Sequence, residues 1–288
     1  MAKFIKYFPV FAIIIFSGCK KYDVKGLLFP NGANQDIETR FAQSVEWNNS
    51  HAEIAVSVPS GDYRFYEGAD IHTETTTKNL TAMLNSARND SAAAFVVLVG
   101  DLINQRGAFD VFAPALNFDG TTQKYDNHTF TVIGNHDLFF GQWYDYKRYF
   151  GTSVYTFEVV FPSGRDLFIV LDSANGTLGK SQLKWLKNIL KSRANYRHCI
   201  IFTHTNIFKM NLPQGTSNMP LEESYELLDL FAKNNVTMHV SAHVHTYGAD
   251  VYRDVLYVTG VALSDSDKEA GYLIFDVSEK IDIEKRFF

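Results

Sequence analysis

Cysteine is nearly absent, with two in 288 residues, at positions 19 and 199. Cys19 closes an N-terminal segment that stands apart from the rest, which leaves Cys199 without a partner and excludes a disulfide framework. Cys199 opens the apolar stretch Cys199-Ile200-Ile201-Phe202 and is expected to be a buried, inert thiol. Long apolar runs are also missing. The N-terminal one, 10–16, is too short to span a bilayer, which takes about 20 residues. No block of Lys and Arg interrupts a formal charge of −5, so no specific nucleic-acid binding is indicated. An anionic substrate would have to be attracted locally rather than by the global field. Internal repeats and low-complexity tracts are absent, which removes solenoid and disordered architectures.

What is present fits a globular chain. Apolar residues make up 46% and charged residues 20%, enough for one large catalytic domain or two small ones. Aromatics reach 15%, led by 24 Phe, which leans toward a sheet-rich core. At the N-terminus, Lys3 and Lys6 precede the apolar run, which ends in Ser17-Gly18-Cys19. This is the pattern of an export signal. Small residues directly before a cysteine resemble a bacterial lipobox, although Phe16 stands where an aliphatic residue is usual. That resemblance implies lipidation at Cys19 and an exported, membrane-anchored lipoprotein of the bacterial cell envelope, on its periplasmic or surface side. Loss of residues 1–18, with two lysines and no acid, would take the formal charge to about −7. The expected organisation is a signal peptide at 1–18, a tether and accessory segment at 19–61, and a catalytic domain at 62–288.

From residue 63 onward strands and helices alternate. Apolar strands are predicted at 63–66, 94–99, 130–133, 166–171, 199–202 and 236–240, with helices at 77–89, 181–192 and 222–233. An earlier helix at 36–47 and strand at 52–58 belong to the accessory segment. Strands at 252–258, 271–277 and 281–286 close the chain. This pattern indicates an α/β (α+β) sandwich.

Five polar clusters begin where an apolar strand stops, the place where open α/β sheets bind ligands. They are Asp70-Ile71-His72, Gly100-Asp101, Gly134-Asn135-His136-Asp137, His204, and His243-Val244-His245. Singly, a strand-end Asp or His is more simply a turn-former or a satisfied polar residue. Asp-x-His is weak alone, and two imidazoles on one side of a strand suit a divalent ion somewhat better. All five in order are hard to assign to coincidence. A metallo-β-lactamase pattern would need His-x-His-x-Asp-His in one run, whereas His243-Val244-His245 continues into Thr246-Tyr247-Gly248.

That ordered set resembles the calcineurin-like metallophosphoesterase family, from about residue 63 to the C-terminus. The resemblance implies two mixed β-sheets packed face to face and flanked by helices. It also implies two metal ions, one held by Asp70, His72, Asp101 and His245, the other by Asp101, Asn135, His204 and His243, with Asp101 as the bridge. A ligand set of imidazole, carboxylate and amide without thiolate suits Mn, Fe or Zn. The implied activity is hydrolysis of phosphate mono- or diesters by a metal-bound hydroxide, with His136 assisting the leaving oxygen. Two departures, Thr205 after His204 where Pro is frequent nearby and Ala242 where Gly is common, replace no ligand. In the phosphoprotein-phosphatase branch an Asp three residues past the bridge orients this histidine, and here that place is Asn104. The alternative is a non-catalytic envelope lipoprotein that binds metal or ligand on the same fold; a missing ligand would mark it, and every ligand position is filled. Asp137 and Asp172 are read as local orienters or turn acids, His239 as a strand residue more simply structural than a partner of the ligands, and His51, His128 and His198 as surface residues. Substrate recognition is assigned to the connections 101–127, 138–149 and 206–221, where Trp143, Tyr144 and Tyr146 fit a lid or a core equally and Arg148 and Lys209 are conceivable phosphate contacts.

Overall fold

The apolar runs between the polar clusters become buried strands in the computed structural model, which describes residues 36–116, 128–208 and 219–288. The strands are β1 (Ile54–Ser57), β2 (Tyr63–Gly68), β3 (Ala93–Val99), β4 (Thr129–Val132), β5 (Tyr155–Phe161) and β6 (Gly164–Val170). After them come β7 (Cys199–Phe202), β8 (Met238–Ser241), β9 (Gly248–Tyr252), β10 (Val255–Thr259), β11 (Gly271–Val277) and β12 (Ile281–Phe287). They form a five-stranded sheet, β12-β11-β2-β3-β4, and a seven-stranded sheet, β1-β5-β6-β7-β8-β10-β9. Both are mixed: β2, β3 and β4 run parallel in the first, and β6, β7, β8 and β10 in the second.

The high phenylalanine content fills the space between the sheets. Phe65, Phe95 and Phe275 from the five-stranded sheet meet Phe157, Phe168 and Phe202 from the other in one buried cluster. Phe65 stacks on Phe275 at 4.4 Å and meets Phe168 edge-on at 6.0 Å. Such aromatic pairs add about 0.5–1.5 kcal/mol beyond their burial. Helices α2 (Lys78–Arg88), α3 (Phe109–Ala115) and α4 (Trp143–Phe150) cover the outer face of the five-stranded sheet through Leu80, Met83, Phe109, Phe112, Trp143 and Phe150. Helices α5 (Gly179–Ile189) and α6 (Leu221–Lys233) cover the other through Leu186, Leu227 and Phe231. The expected face-to-face sandwich with flanking helices is therefore the fold.

The segment read as accessory adds a helix and a strand to this sandwich. β1 pairs parallel with β5 at a sheet edge, and helix α1 (Ile37–Asn49) is capped by Asp36, which accepts from Thr39 N at 2.9 Å. From α1, the fully buried Arg40 grips Asp172 with Nε to Oδ2 at 2.8 Å and Nη2 to Oδ1 at 2.9 Å. Ser153 Oγ also donates to Asp172 at 2.9 Å. Burying two charges is costly unless both are bonded in this way. Cys19 and the tether lie outside the described residues.

Several details differ from the sequence reading. The strand expected at 252–258 is a hairpin, β9 to β10, which turns on Arg253 and Asp254 with φ of 50° and 65°. The Asn-Gly or Asp-Gly signal usual for such turns is absent. The connection at 138–149 holds a kinked 3-10 turn and α4, so Trp143 and Tyr146 are core residues while Tyr144 stays exposed. His198 is buried and bonds Ser278 O at 2.7 Å, which corrects its reading as a surface residue. It immediately precedes β7, and its backbone O accepts from Leu167 N at 2.9 Å. Cys199 is buried as expected, and burial pushes its thiol up to about 12.

Candidate metal centre

The carboxyl ends of β2, β3 and β4 converge with those of β7 and β8, bringing all five polar clusters to one edge of the sandwich. The chain bends sharply there. Asp70, His72, Asp101, His243 and His245 all adopt left-handed backbone, with φ of 48°, 49°, 50°, 74° and 58°. Non-glycine residues are uncommon in this region, and such strain concentrates at functional sites. The two glycines of the motifs allow close approach. A Cβ on Gly134 would lie 2.2 Å from Asp101 N, and one on Gly100 would lie 2.4 Å from His204 Nδ1.

The side chains form overlapping groups, two of which share Asp101. The ligand atoms of Asp70, His72 and His245 lie close together, as do those of Asp101, His204 and His243. In the first, His72 Nε2 and His245 Nε2 face each other at 3.2 Å, and His245 Nε2 is 3.6 Å from Asp70 Oδ1. In the second, His204 Nε2 lies 3.1 Å from Asn135 Oδ1, 3.2 Å from His243 Nδ1 and 3.3 Å from Asp101 Oδ2. His204 Nδ1 donates to Val99 O at 3.0 Å, which leaves Nε2 as the nitrogen aimed inward. One proton cannot satisfy two facing imidazole nitrogens and two oxygens, but a cation can. Ligand atoms about 2.0–2.2 Å from one cation lie about 2.8–3.6 Å apart, the range of these contacts. Asp70 Oδ1 is buried with no hydrogen-bond partner, a further mark of a missing positive group. The donor set fits bound metal cations.

His136 sits at the rim. Its backbone N donates to Asp101 Oδ1 at 2.8 Å, its Nδ1 meets Asn104 Oδ1 at 2.9 Å, and its Nε2 lies 3.8 Å from Asp101 Oδ2. It also forms a third possible ligand trio with His72 and Asp101. Asn104 therefore occupies the orienting place expected of it. A cavity of about 660 Å³ opens over the group, walled by Glu74, Thr75, Thr76 and the 264–267 loop.

Residues 63–247 match the family described as calcineurin-like phosphoesterase. The chain belongs to the calcineurin-like phosphoesterase family. Among solved structures, a dimetal phosphatase from Danio rerio is similar at 15% identity and a TM-score of 0.62, over 78% of this chain and 96% of that one. GAP50, described as the anchor in the inner membrane complex of Plasmodium, is 16% identical at a TM-score of 0.57, over 79% and 84%. A putative 5'-nucleotidase from Staphylococcus aureus is 14% identical at a TM-score of 0.50, over 78% of this chain and 53% of that one. At these identities the likeness is one of fold. No curated protein matches the chain by sequence.

In this phosphoesterase-family centre the electrostatics favour ligation. Burial pushes His72 down to about 3 and His243 to about 4, so both are neutral with free lone pairs near pH 7. Burial alone would raise the Asp101 carboxyl, yet His204, His136 and His72 hold it below the usual carboxylate range. For His204 burial acts downward, but Asp101 and then Asp70 outweigh it and raise it to about 10. Asp137, read as an orienter, accepts from Gly134 N and Leu102 N at 2.8 Å, tying together the turns that carry Asn135 and Asp101. Buried His239 bonds Thr203 Oγ1 at 2.9 Å, one residue from His204. Arg148 pairs with Asp110 at 3.4 Å, and Lys209 lies outside the described residues.

Two acidic residues escaped the sequence reading, Glu74 and Glu67. Glu67 follows Tyr63 and Phe65 at alternate, inward-facing positions, so a charge on the core face was the available signal. Neither of its oxygens has a hydrogen-bond partner, and a Cβ on Gly260 would lie 2.5 Å from Oε1. Burial, then the charge of Asp70, raises its pKa well above the ordinary 4.5. The folded state therefore keeps a proton that the unfolded chain releases above about pH 4.5. That stabilisation is full below this pH and is lost as the pH rises toward the folded-state value. In the presence of chelator, Glu67→Gln is expected to gain stability over wild type by up to about 1.4 kcal/mol per pH unit across this window. Urea unfolding between pH 4 and pH 8 measures it, and parallel curves for the two proteins would refute a protonated Glu67.

Proposed function

We propose that this protein is a metal-dependent hydrolase of phosphate mono- or diesters built on a dinuclear centre. Asp70, His72, Asp101 and His245 would hold one cation, and Asp101, Asn135, His204 and His243 the other, with Mn, Fe or Zn as candidates. The observation that carries this reading is the crowding of ligand groups around Asp101, whose Oδ2 lies 3.3 Å from His204 Nε2 in one trio and 3.9 Å from His72 Nε2, which also belongs to the trio of Asp70 and His245. When bound, two such cations supply a hydroxide near neutral pH and neutralise phosphoryl oxygens. The chain's own residues do the rest. Asp101 and Asp70 fix the ligand sphere, and Val99 O and Asp137 hold His204 and the turns in place. His136 presents Nε2 toward the centre. As water adds to phosphorus and gives up a proton to solvent, the ester P–O bond breaks, and His136, which must enter the step doubly protonated, would pass its Nε2 proton to the departing oxygen while Nδ1 keeps its own.

The test is hydrolysis of a generic monoester and a generic diester by the mature protein with added Mn, Fe or Zn. Metal-dependent turnover that a chelator abolishes is expected, and its absence on both esters would overturn the reading. Membrane attachment through a lipid on Cys19 is a second part of the proposal. Cys19→Ser is expected to move the protein from the membrane fraction to the soluble one. Unchanged partitioning would remove the anchor from the account.

A further inference from the structure

The segments that leave β2 and β3 stay paired beyond the sheet. Asp70 N donates to Gly100 O at 3.1 Å, His72 N to Asp101 O at 2.9 Å, and Asn104 N to Thr73 O at 3.0 Å. This register sets Glu74 beside Asn104. Asn104 Nδ2 donates to Glu74 Oε1 at 2.7 Å, while Gln105 Nε2 donates to Glu74 O at 2.9 Å. A carboxylate only accepts, so the amide nitrogen is committed to Glu74 and Oδ1 is turned to His136 Nδ1 at 2.9 Å. Nδ1 must then be the donor. The imidazole is also flanked by Phe139 at 4.4 Å and His72 at 4.6 Å, which leaves Nε2 as the nitrogen that faces the centre.

We infer that Glu74 is a positioning residue for His136, acting through the Asn104 amide. The inference rests on the phosphoesterase reading with His136 as proton donor to the leaving oxygen. The Asn104 oxygen accepts from Nδ1 in both the doubly and the singly protonated ring, so an imidazolium His136 gives up its Nε2 proton without losing its anchor. If Asn104 turned over, its NH₂ would face the Nδ1 proton and the ring would lose that anchor. Glu74 prevents the turn. A carboxylate one residue removed from the histidine thus takes part of the role that an Asp at position 104 would play directly.

The test compares wild type, Glu74→Ala and Glu74→Gln on two phosphate esters, one of an alkyl alcohol and one of para-nitrophenol. An alkoxide needs a proton to leave, and para-nitrophenolate does not. For the alkyl ester Glu74→Ala is expected to lower kcat about 10–100-fold with KM nearly unchanged. For the nitrophenyl ester the loss is expected to stay within about 3-fold, because general-acid help contributes little there. Glu74→Gln keeps an oxygen that can accept from Asn104 Nδ2 and is expected to retain most of the alkyl-ester activity. Equal losses on both esters, or a Gln variant no better than Ala, would overturn the inference. Lack of metal-dependent turnover by wild type would instead overturn the phosphoesterase reading beneath it.

Discussion

Replacing Asp101 with alanine is expected to remove metal-dependent turnover and most of the bound metal. Asp101 is 2% exposed and belongs to two of the overlapping ligand trios. Its Oδ2 faces His204, His72 and His136, and its Oδ1 holds the backbone of His136 at 2.8 Å. Gly134 packs against the Asp101 backbone more closely than a Cβ would permit, which holds the carboxylate in place. Losing the cations forfeits several kcal/mol of charge stabilisation, which corresponds to about 1,000-fold or more in kcat/KM. Asp101→Asn makes a useful partner variant, since its amide oxygen can still accept from His136 N while the bridging charge is gone. Both variants are expected to bind less than two equivalents of metal. Undiminished turnover in Asp101→Ala would contradict the assigned bridge.

His136→Ala is expected to act on the reaction and not on the metals. Removing a proton donor to an alkoxide typically costs about 100–10,000-fold. The loss is expected on alkyl esters, with a much smaller one on para-nitrophenyl esters. Metal content decides between two roles for this residue, because His136 also forms a possible ligand trio with His72 and Asp101. Two equivalents retained in His136→Ala fit a proton donor outside the ligand sphere. A drop in bound metal would make His136 a ligand instead.

The site was more legible in the sequence than its supports. Each polar cluster follows an apolar strand, and it was the resemblance carried by their order that singled out Asp70, His72, Asp101, Asn135, His204, His243 and His245 as candidate ligands. The strained backbone under five of them was not legible, because Asp and His carry no local sign that φ will be positive. Glu74 was missed because its contact with Asn104 depends on strand register past the end of the sheet, 30 residues away along the chain. The Arg40–Asp172 pair spans 132 residues and joins α1 to the turn after β6, a link that no local pattern encodes. Glu67 was visible as a charge in a core-facing position, yet only the fold shows that nothing bonds it. In the β9–β10 hairpin, Arg253 and Asp254 hide the turn that an Asn-Gly pair would have announced. The aromatics of α4 were ambiguous between a lid and a core, and their periodicity resolves only once Trp143, Tyr146 and Phe150 are seen to pack together.

The central claim is that two cations meeting at Asp101 carry phosphoester hydrolysis. The most direct measurement is to strip the mature protein with chelator, then titrate Mn or Zn back while following both bound metal and hydrolysis of a para-nitrophenyl phosphate ester. The account predicts two bound equivalents per chain, with turnover rising steeply as the second binds. Turnover that persists in the stripped protein, or two bound equivalents with no turnover on either a monoester or a diester, would contradict it.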